Sequence, residues 1–203
     1  METEAGYIRP NIRRLWQSDQ ATMVDFFQRM DLQTRRLRFG APVSDEYLKS
    51  YVESLMSTDT VAFGAFPDQT LHGIAELRVV KDRWPRTAEI ALLVEPEWQE
   101  LGIGGALFDR AITAAQNRNI KSIHMLCLKE NKRMQHLAQK HDAVLHFDAG
   151  EAEAALTPPW PTPLSLFYET FAYTRRYLQL MLHSREIWPD RGLQVPSLGK
   201  NTT

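Results

Sequence analysis

The sequence predicts an α/β fold built on a mixed sheet, and three observations carry that prediction. Residues 88–94 (AEIALLV) and 120–128 read as strands with a helix between them, and a strand–helix–strand unit makes two neighbouring strands parallel. Residues 61–66 (VAFGAF) and 71–80 (LHGIAELRVV) are joined by Pro67-Asp68-Gln69-Thr70, a hairpin signal that sets those two antiparallel. Amphipathic helical periodicity recurs before and after this block.

Along the chain, residues 7–12 (YIRPNI) suit an edge strand that tolerates Pro10. Ser18 or Asp19 can cap a helix running to about Met30, with Met23, Phe26, Phe27 and Met30 on one face. Arg35, Arg36 and Arg38 follow, read as a solvated charge run, with guidance of an acidic partner or contact with the sheet edge as the other readings. Ser44 opens a second helix, where Tyr47, Leu48, Tyr51 and Leu55 keep helical spacing. After the hairpin, residues 81–87 (KDRWPRT) form a polar loop. Strand 88–94 is apolar except for Glu89, which predicts burial on both faces. A helix then runs to about Asn117 with Ile103, Leu107, Ala111 and Ala114 on one stripe. Ile123, Met125 and Cys127 alternate on one face of the next strand, Asn131–Lys140 is a short helix, Val144–Asp148 a strand candidate, and 151–156 (EAEAAL) is ambiguous. Residues 157–163 (TPPWPTP) are a stiff linker. They lead to a helical extension over 164–188, whose stripe of Phe167, Phe171, Leu178 and Leu182 packs on the domain or forms a homodimer interface, and to a frayed tail over 189–203.

Bulk properties exclude several function classes. A chain of 203 residues suits one domain plus extensions, and 43% hydrophobic with 24% charged residues is ordinary for a globular protein. The formal net charge of −1 sets up no global field toward nucleic acid or anionic lipid. Cys127 is the single cysteine, so no intrachain disulfide forms. METEAGYIRP has no apolar signal-peptide core, and no run reaches the 18 or so apolar residues that span a membrane, so a cytoplasmic location is expected.

The segment Gln99-Glu100-Leu101-Gly102-Ile103-Gly104-Gly105 stands between a strand and a helix. The first N–H groups of a helix lack intrahelical partners and carry partial positive charge. Glycines there let the backbone bend and let an anion come close, so the segment reads as a phosphate cradle. A glycine-rich turn that packs helix on sheet is the other reading. Two better-known phosphate loops do not fit. Leu107 stands where a dinucleotide fingerprint takes Gly or Ala, with His124 where it takes an acid, and no G-x-x-x-x-G-K-[ST] occurs.

The run Val94-Glu95-Pro96-Glu97-Trp98-Gln99-Glu100-Leu101-Gly102-Ile103-Gly104-Gly105 resembles the acetyl-CoA-binding motif of the GNAT N-acetyltransferases, a Gln/Arg-x-x-Gly-x-Gly/Ala loop. In order, Ala88-Glu89-Ile90 resembles the strand that carries the general base in several members. Glu130-Asn131-Lys132-Arg133-Met134 resembles the Asn-containing start of the helix after the next strand, and residues 32–40 resemble a stretch common in members related to bacterial protein-lysine acetyltransferases. The resemblance covers about residues 7–148, within a domain drawn at 1–156. It implies a twisted mixed sheet whose two central parallel strands splay apart, helices on both faces, and acetyl-CoA as acyl donor. It further implies backbone contacts to pantetheine from Leu92, Leu93 and Val94, to pyrophosphate from Gln99, Glu100, Leu101, Gly102, Ile103 and Gly104, and a contact from Asn131 to the cofactor or an ordered water. Two departures stand out. Glu100 puts a carboxylate near a diphosphate, and Ala138 occupies the position where many members carry a tyrosine acid.

For the chemistry, an amine must lose its proton before it attacks a thioester. Glu89, alone among apolar neighbours, is the candidate base, since partial desolvation would raise its pKa into a useful range; the competing reading is a carboxylate paired with a nearby cation. Cys127 reads as a structural thiol. His124, His136, His141 and His146 show no metal-ligand spacing, so no metal is expected, and His141 is a remote candidate for the missing acid. Trp84 and Trp160 could line an acceptor pocket or pack on the core. The expected activity is acetyl transfer to a primary amine, of a protein lysine or a small molecule; the rival from another class is a GNAT-shaped module that binds acyl-CoA and regulates.

Overall fold

The structure, a computed structural model, describes residues 10–148, 150–166 and 169. Seven strands form one sheet: β1 (Asn11–Arg14), β2 (Thr60–Phe66), β3 (Gly73–Val80), β4 (Thr87–Val94), β5 (Ser122–Leu128), β6 (Val144–Asp148) and β7 (Glu151–Leu156). Their spatial order is β1-β2-β3-β4-β5-β7-β6, and every neighbouring pair is antiparallel except β4–β5. The ambiguous segment 151–156 is thus a strand, inserted between β5 and β6. Residues 7–9 of the expected first strand, and the expected extension and tail apart from 164–166 and 169, lie outside the described residues.

Helices cover both faces, as the mixed α/β reading requires. On one side α4 (Ile103–Asn117) and α5 (Lys132–Gln139) bury Leu107, Phe108, Ala111 and Met134 against Ala88, Ile90, Ile123, Met125 and Ala154. On the other, α1 (Gln20–Arg29) and α3 (Asp45–Leu55) bury Met23, Phe26, Phe27, Leu48 and Val52 against Ala62, Phe66, Ile74 and Leu93. Alternate residues of β4 enter opposite cores, which is why this strand reads as almost continuously apolar. Ser44 caps α3 as expected, its hydroxyl accepting from Tyr47 N–H at 3.2 Å.

A further helix, α2 (Leu32–Phe39), occupies the stretch read as a charge run. The Asp31 side chain caps it, accepting from Thr34 N–H at 2.6 Å, and that bond holds the Asp31 carboxyl below its usual range. Gly40, at φ 76°, supplies the left-handed turn that ends it. Two of the three arginines are not solvated. Arg35 is buried and donates to the carbonyls of Met30 (3.0 Å) and Gln28 (2.8 Å) and to Asp45 (2.8 Å). Arg38 reaches the sheet and pairs with Glu76 at 2.9 Å, while the Tyr51 hydroxyl donates to the same carboxylate and accepts from Arg38. Burial first, then the Glu76 charge, pushes the Tyr51 phenol up, so it stays a donor. Only Arg36 is surface-exposed, in an ion pair with Glu130 at the end of β5. Helices α2 and α3 are therefore tied to the sheet by buried polar bonds as well as by apolar packing.

Removing one partner of a buried ion pair strands the other. Glu76→Gln is expected to cost about 3–5 kcal/mol and Tyr51→Phe about 1 kcal/mol in urea unfolding followed by circular dichroism. A Glu76→Gln loss below about 1 kcal/mol, the surface-pair range, would show that the trio does not anchor these helices.

Candidate active site

The parallel pairing of β4 and β5 is short. It comprises Thr87↔Ser122, Ala88↔Ile123 and Glu89↔His124, and then stops. Beyond that point β4 continues only with β3, as far as Val94, and β5 only with β7, as far as Leu128. The two strands diverge and leave a gap, as the splayed-strand expectation has it.

Successive peptide groups of a strand point to opposite edges. Glu95 N–H donates to His72 O at 2.9 Å, which sets the phase: the polar groups of Glu95 and Leu93 turn toward β3, and those of Leu92 and Val94 toward the gap. Leu93, expected from the resemblance to contact pantetheine, does not face the gap: its peptide groups belong to the ladder with Ile74 and its side chain to the α1/α3 core. One group at the gap already has a partner, since the Val94 carbonyl accepts from Gln99 Nε2 at 2.8 Å.

The loop at the mouth of the gap is held from behind. Glu95 accepts from Arg29 at 2.8 Å and faces His72 Nδ1; the other ring nitrogen of His72 faces Asp68 at 2.8 Å, and Trp98 stacks on the ring at 4.2 Å. After a single helical turn at Pro96–Trp98, the backbone turns left-handed at Glu100 (φ 65°) and Gly102 (φ 83°), and α4 begins. The Gln99 amide is used locally, donating to Pro96 O at 3.3 Å, so Gln99 braces the loop through both its amide and its side chain. The hydrogen-bonded turn at Gln99–Glu100 engages the Leu101 amide. Among the described residues, the amides of Gly102, Ile103, Gly104 and Gly105 have no protein acceptor, and the first bond of the helix is Ala106 N–H to Gly102 O at 3.1 Å. These four consecutive donors at the positive end of a 15-residue helix form an anion-binding surface. The Glu100 carboxylate is 76% exposed and pairs with Arg133 at 3.1 Å, so it points to solvent and brings a guanidinium beside the loop.

At the root of the gap, Glu89 and His124 share the sheet face opposite α4. Glu89 is exposed, so the desolvation expected of it is absent. Its neighbours Ala88 and Ile90 both enter the α4/α5 core, while Glu89 itself lies on the opposite face, where α2 touches β4 and β5 but leaves this carboxylate exposed. Leu126, two residues beyond His124, is 62% exposed there. His124, read from the sequence as one of several scattered histidines, has partners at both ring nitrogens: Nδ1 faces Glu153 at 2.6 Å and Nε2 faces Ser122 Oγ at 3.0 Å. The alternation Ser122-x-His124 could have suggested the contact with Ser122; the contact with Glu153 depends on β7.

The remaining candidates fall elsewhere. Asn131 caps α5, its side chain accepting from Met134 N–H at 3.2 Å. Ala138 is buried. Cys127 is half-buried, and burial pushes its thiol up, contrary to what a nucleophile needs. His141 packs edge-on against Phe108 and faces Asp109 at 3.6 Å. It lines a broad groove with Gln116 and Asp142 that no residue of 90–105 enters, so it is not at the gap. Trp84 and Trp160 are exposed rather than packed in the core, with Lys121 lying 3.6 Å over the Trp160 ring. Among the described residues no cluster of three metal-ligating side chains occurs, and no helix is long and apolar enough to cross a membrane.

Comparison with known proteins agrees with this geometry. The profile of the acetyltransferase (GNAT) family matches residues 16–143. Among solved structures, the GNAT domain of S. lividans PAT is 19% identical and superposes with a TM-score of 0.64, over 73% of this chain and 90% of that one. A GNAT-family acetyltransferase from Streptococcus pneumoniae is 18% identical, with a TM-score of 0.62, over 74% of this chain and all (100%) of that one. The spermidine N-acetyltransferase from Vibrio cholerae, in complex with CoA and spermine, is 19% identical, with a TM-score of 0.58, over 74% and 96%. At such identities the likeness is one of fold. No curated protein matches the chain.

Two glycines of the loop separate strain from space. Gly102→Ala forces a side chain onto φ 83° and is expected to cost about 1–2 kcal/mol. A Cβ on Gly104 meets only Leu92 and Val94, at ordinary distances of 3.7 and 3.9 Å. Gly104→Ala is therefore expected to leave stability unchanged or raise it by up to about 1 kcal/mol. Thermal denaturation of the two variants checks the contrast.

Proposed function

The chain belongs to the acetyltransferase (GNAT) family, and from this we propose that it moves an acetyl group from acetyl-CoA to a primary amine by direct attack in a ternary complex. The observation that carries the proposal is the run of unspent amides from Gly102 to Gly105 at the mouth of the β4–β5 gap. In this reading the diphosphate lies on those amides, and the pantetheine arm threads the gap beside the open peptide groups of Leu92 and Val94. Gln99 braces the loop, and Asn131 stands where the next helix begins. Arg133 adds a cation beside the loop and draws off the Glu100 carboxylate.

The acceptor approaches from the other side of the sheet, where Glu89 receives its ammonium group. At pH 7 a lysine-like amine, of pKa about 10.4, costs roughly 4.6 kcal/mol to deprotonate. The leaving thiol is far more acidic, about 8.5 for a cysteine-like thiol, so the thiolate can depart without the tyrosine that Ala138 replaces. Between a protein lysine and a small amine, the open face favours the lysine. Small ligands are usually buried over most of their surface, whereas Glu89 and Leu126 are exposed. The reading as a non-catalytic acyl-CoA-binding module keeps only Ala138 in its support, because Glu100 points away.

Titration calorimetry with acetyl-CoA is the first test; no heat and no thermal shift at millimolar ligand would sink the proposal. Glu89→Gln is expected to retain acetyl-CoA binding and to lose about 1.5–3 kcal/mol of acceptor interaction, a 10- to 100-fold drop in kcat/KM.

A further inference from the structure

We propose that His124, buttressed by Glu153 and Ser122, is the proton acceptor for the incoming amine. The inference rests on the acetyl-transfer reading and adds to it the residue that takes the proton. Three features carry it.

The first is position. Glu89↔His124 is the last register pair before β4 and β5 part, so His124 stands at the root of the gap, on the open face and across from the carboxylate that receives the ammonium. The second is the hydrogen-bond chain. A carboxylate only accepts, so Glu153 at 2.6 Å assigns the proton of neutral His124 to Nδ1 and leaves the lone pair on Nε2, where the Ser122 hydroxyl donates at 3.0 Å. When Nε2 gains a proton, the hydroxyl rotates and accepts instead. Both protonation states are then satisfied without moving a heavy atom, which is what a group that cycles between them needs. The third is access. The side chains of His124 and Glu153 are 27% and 46% exposed, so substrate can arrive and the proton can leave.

The charged and titratable groups around the ring are Glu89 on β4 with Arg78 beyond it on β3, Glu151 and Glu153 on β7, His146 on β6, and Arg36 of α2 in its pair with Glu130. In the balanced step, one ammonium proton passes to Nε2 and on to solvent past Ser122. The neutral nitrogen bonds to the thioester carbon, the C–S bond breaks, and the second proton shed by that nitrogen ends on the departing sulfur.

The test uses the full chain with acetyl-CoA as donor and poly-L-lysine and spermine as acceptor probes, read as kcat/KM against pH. His124→Gln is expected to lower kcat/KM about 100-fold or more and to abolish the acid limb of the profile, while calorimetric affinity for acetyl-CoA stays within about twofold of wild type, a change under about 0.5 kcal/mol. Glu153→Gln, which removes the charge that favours the imidazolium, is expected to move that limb to lower pH. A His124→Gln variant within about threefold of wild type, under about 1 kcal/mol, with its acid limb in place overturns the role of His124 and leaves acetyl transfer standing. Should His124→Gln fail to melt cooperatively, Glu153→Gln decides, and an unmoved limb overturns the proposal. A wild type that acetylates neither probe removes the reaction itself, and this inference with it.

Discussion

The early end of β4–β5 pairing is the constraint on which the rest depends. Two parallel strands that share only three register positions leave peptide groups at Leu92 and Val94 on one side, and on β5 on the other, without a ladder. Unpaired backbone groups away from water are costly. One of them is answered internally, by Gln99 Nε2 on the Val94 carbonyl. The others define what a suitable guest must offer: an extended chain, thin enough to lie between strands, with amide groups along it. The loop that begins at Gln99 then supplies what such a guest needs at its charged end.

A gap of this kind closes unless something holds its sides apart. On the β4 side, Glu95 is fixed by Arg29 and His72, so the strand ends in a set direction and Trp98 is stacked in place. On the open face, α2 touches both β4 and β5, and its arginines divide the work. Arg35 ties α2 to the α1–α2 turn and to the start of α3, Arg38 ties it to β3 through Glu76, and Arg36 reaches past the gap to Glu130. The splay is thus held by polar bonds on both sides of the gap, buried at Arg35 and Arg38 and exposed at Arg29 and Arg36.

Much of this was legible because it is local. Strands β2 to β5, the capped α3 and the glycines before α4 each follow from periodicity, a cap or a turn within a short window. Helix α2 was not, because eight residues with three arginines show no apolar period. It forms through Asp31 at one end, Gly40 at the other and partners far along the chain. The exposure of Glu89 was not legible for a related reason: apolar neighbours along a strand report what covers their own face, and Glu89 points to the other one. The His124–Glu153 contact is least legible of all. It exists because β7 enters the sheet between β5 and β6, a crossover that spacing along the sequence does not encode.

The same asymmetry bears on how the reaction can be partitioned. On the α4/α5 side the sheet is fully packed, with Ile90, Ile123, Met125 and Leu107 buried, so a donor in the gap has one side against a dry core. On the other side the root of the gap is wet, ringed by Glu89, His124 and Glu153. A thioester held at that boundary is oriented by the packed side and attacked from the open one. Placing the base on the wet face costs some basicity that burial would have conferred on a carboxylate. An imidazole needs less help from burial to work near neutral pH, which is why the exposure of Glu89, at first sight a weakness of the site, fits a division in which the carboxylate binds and the histidine takes the proton.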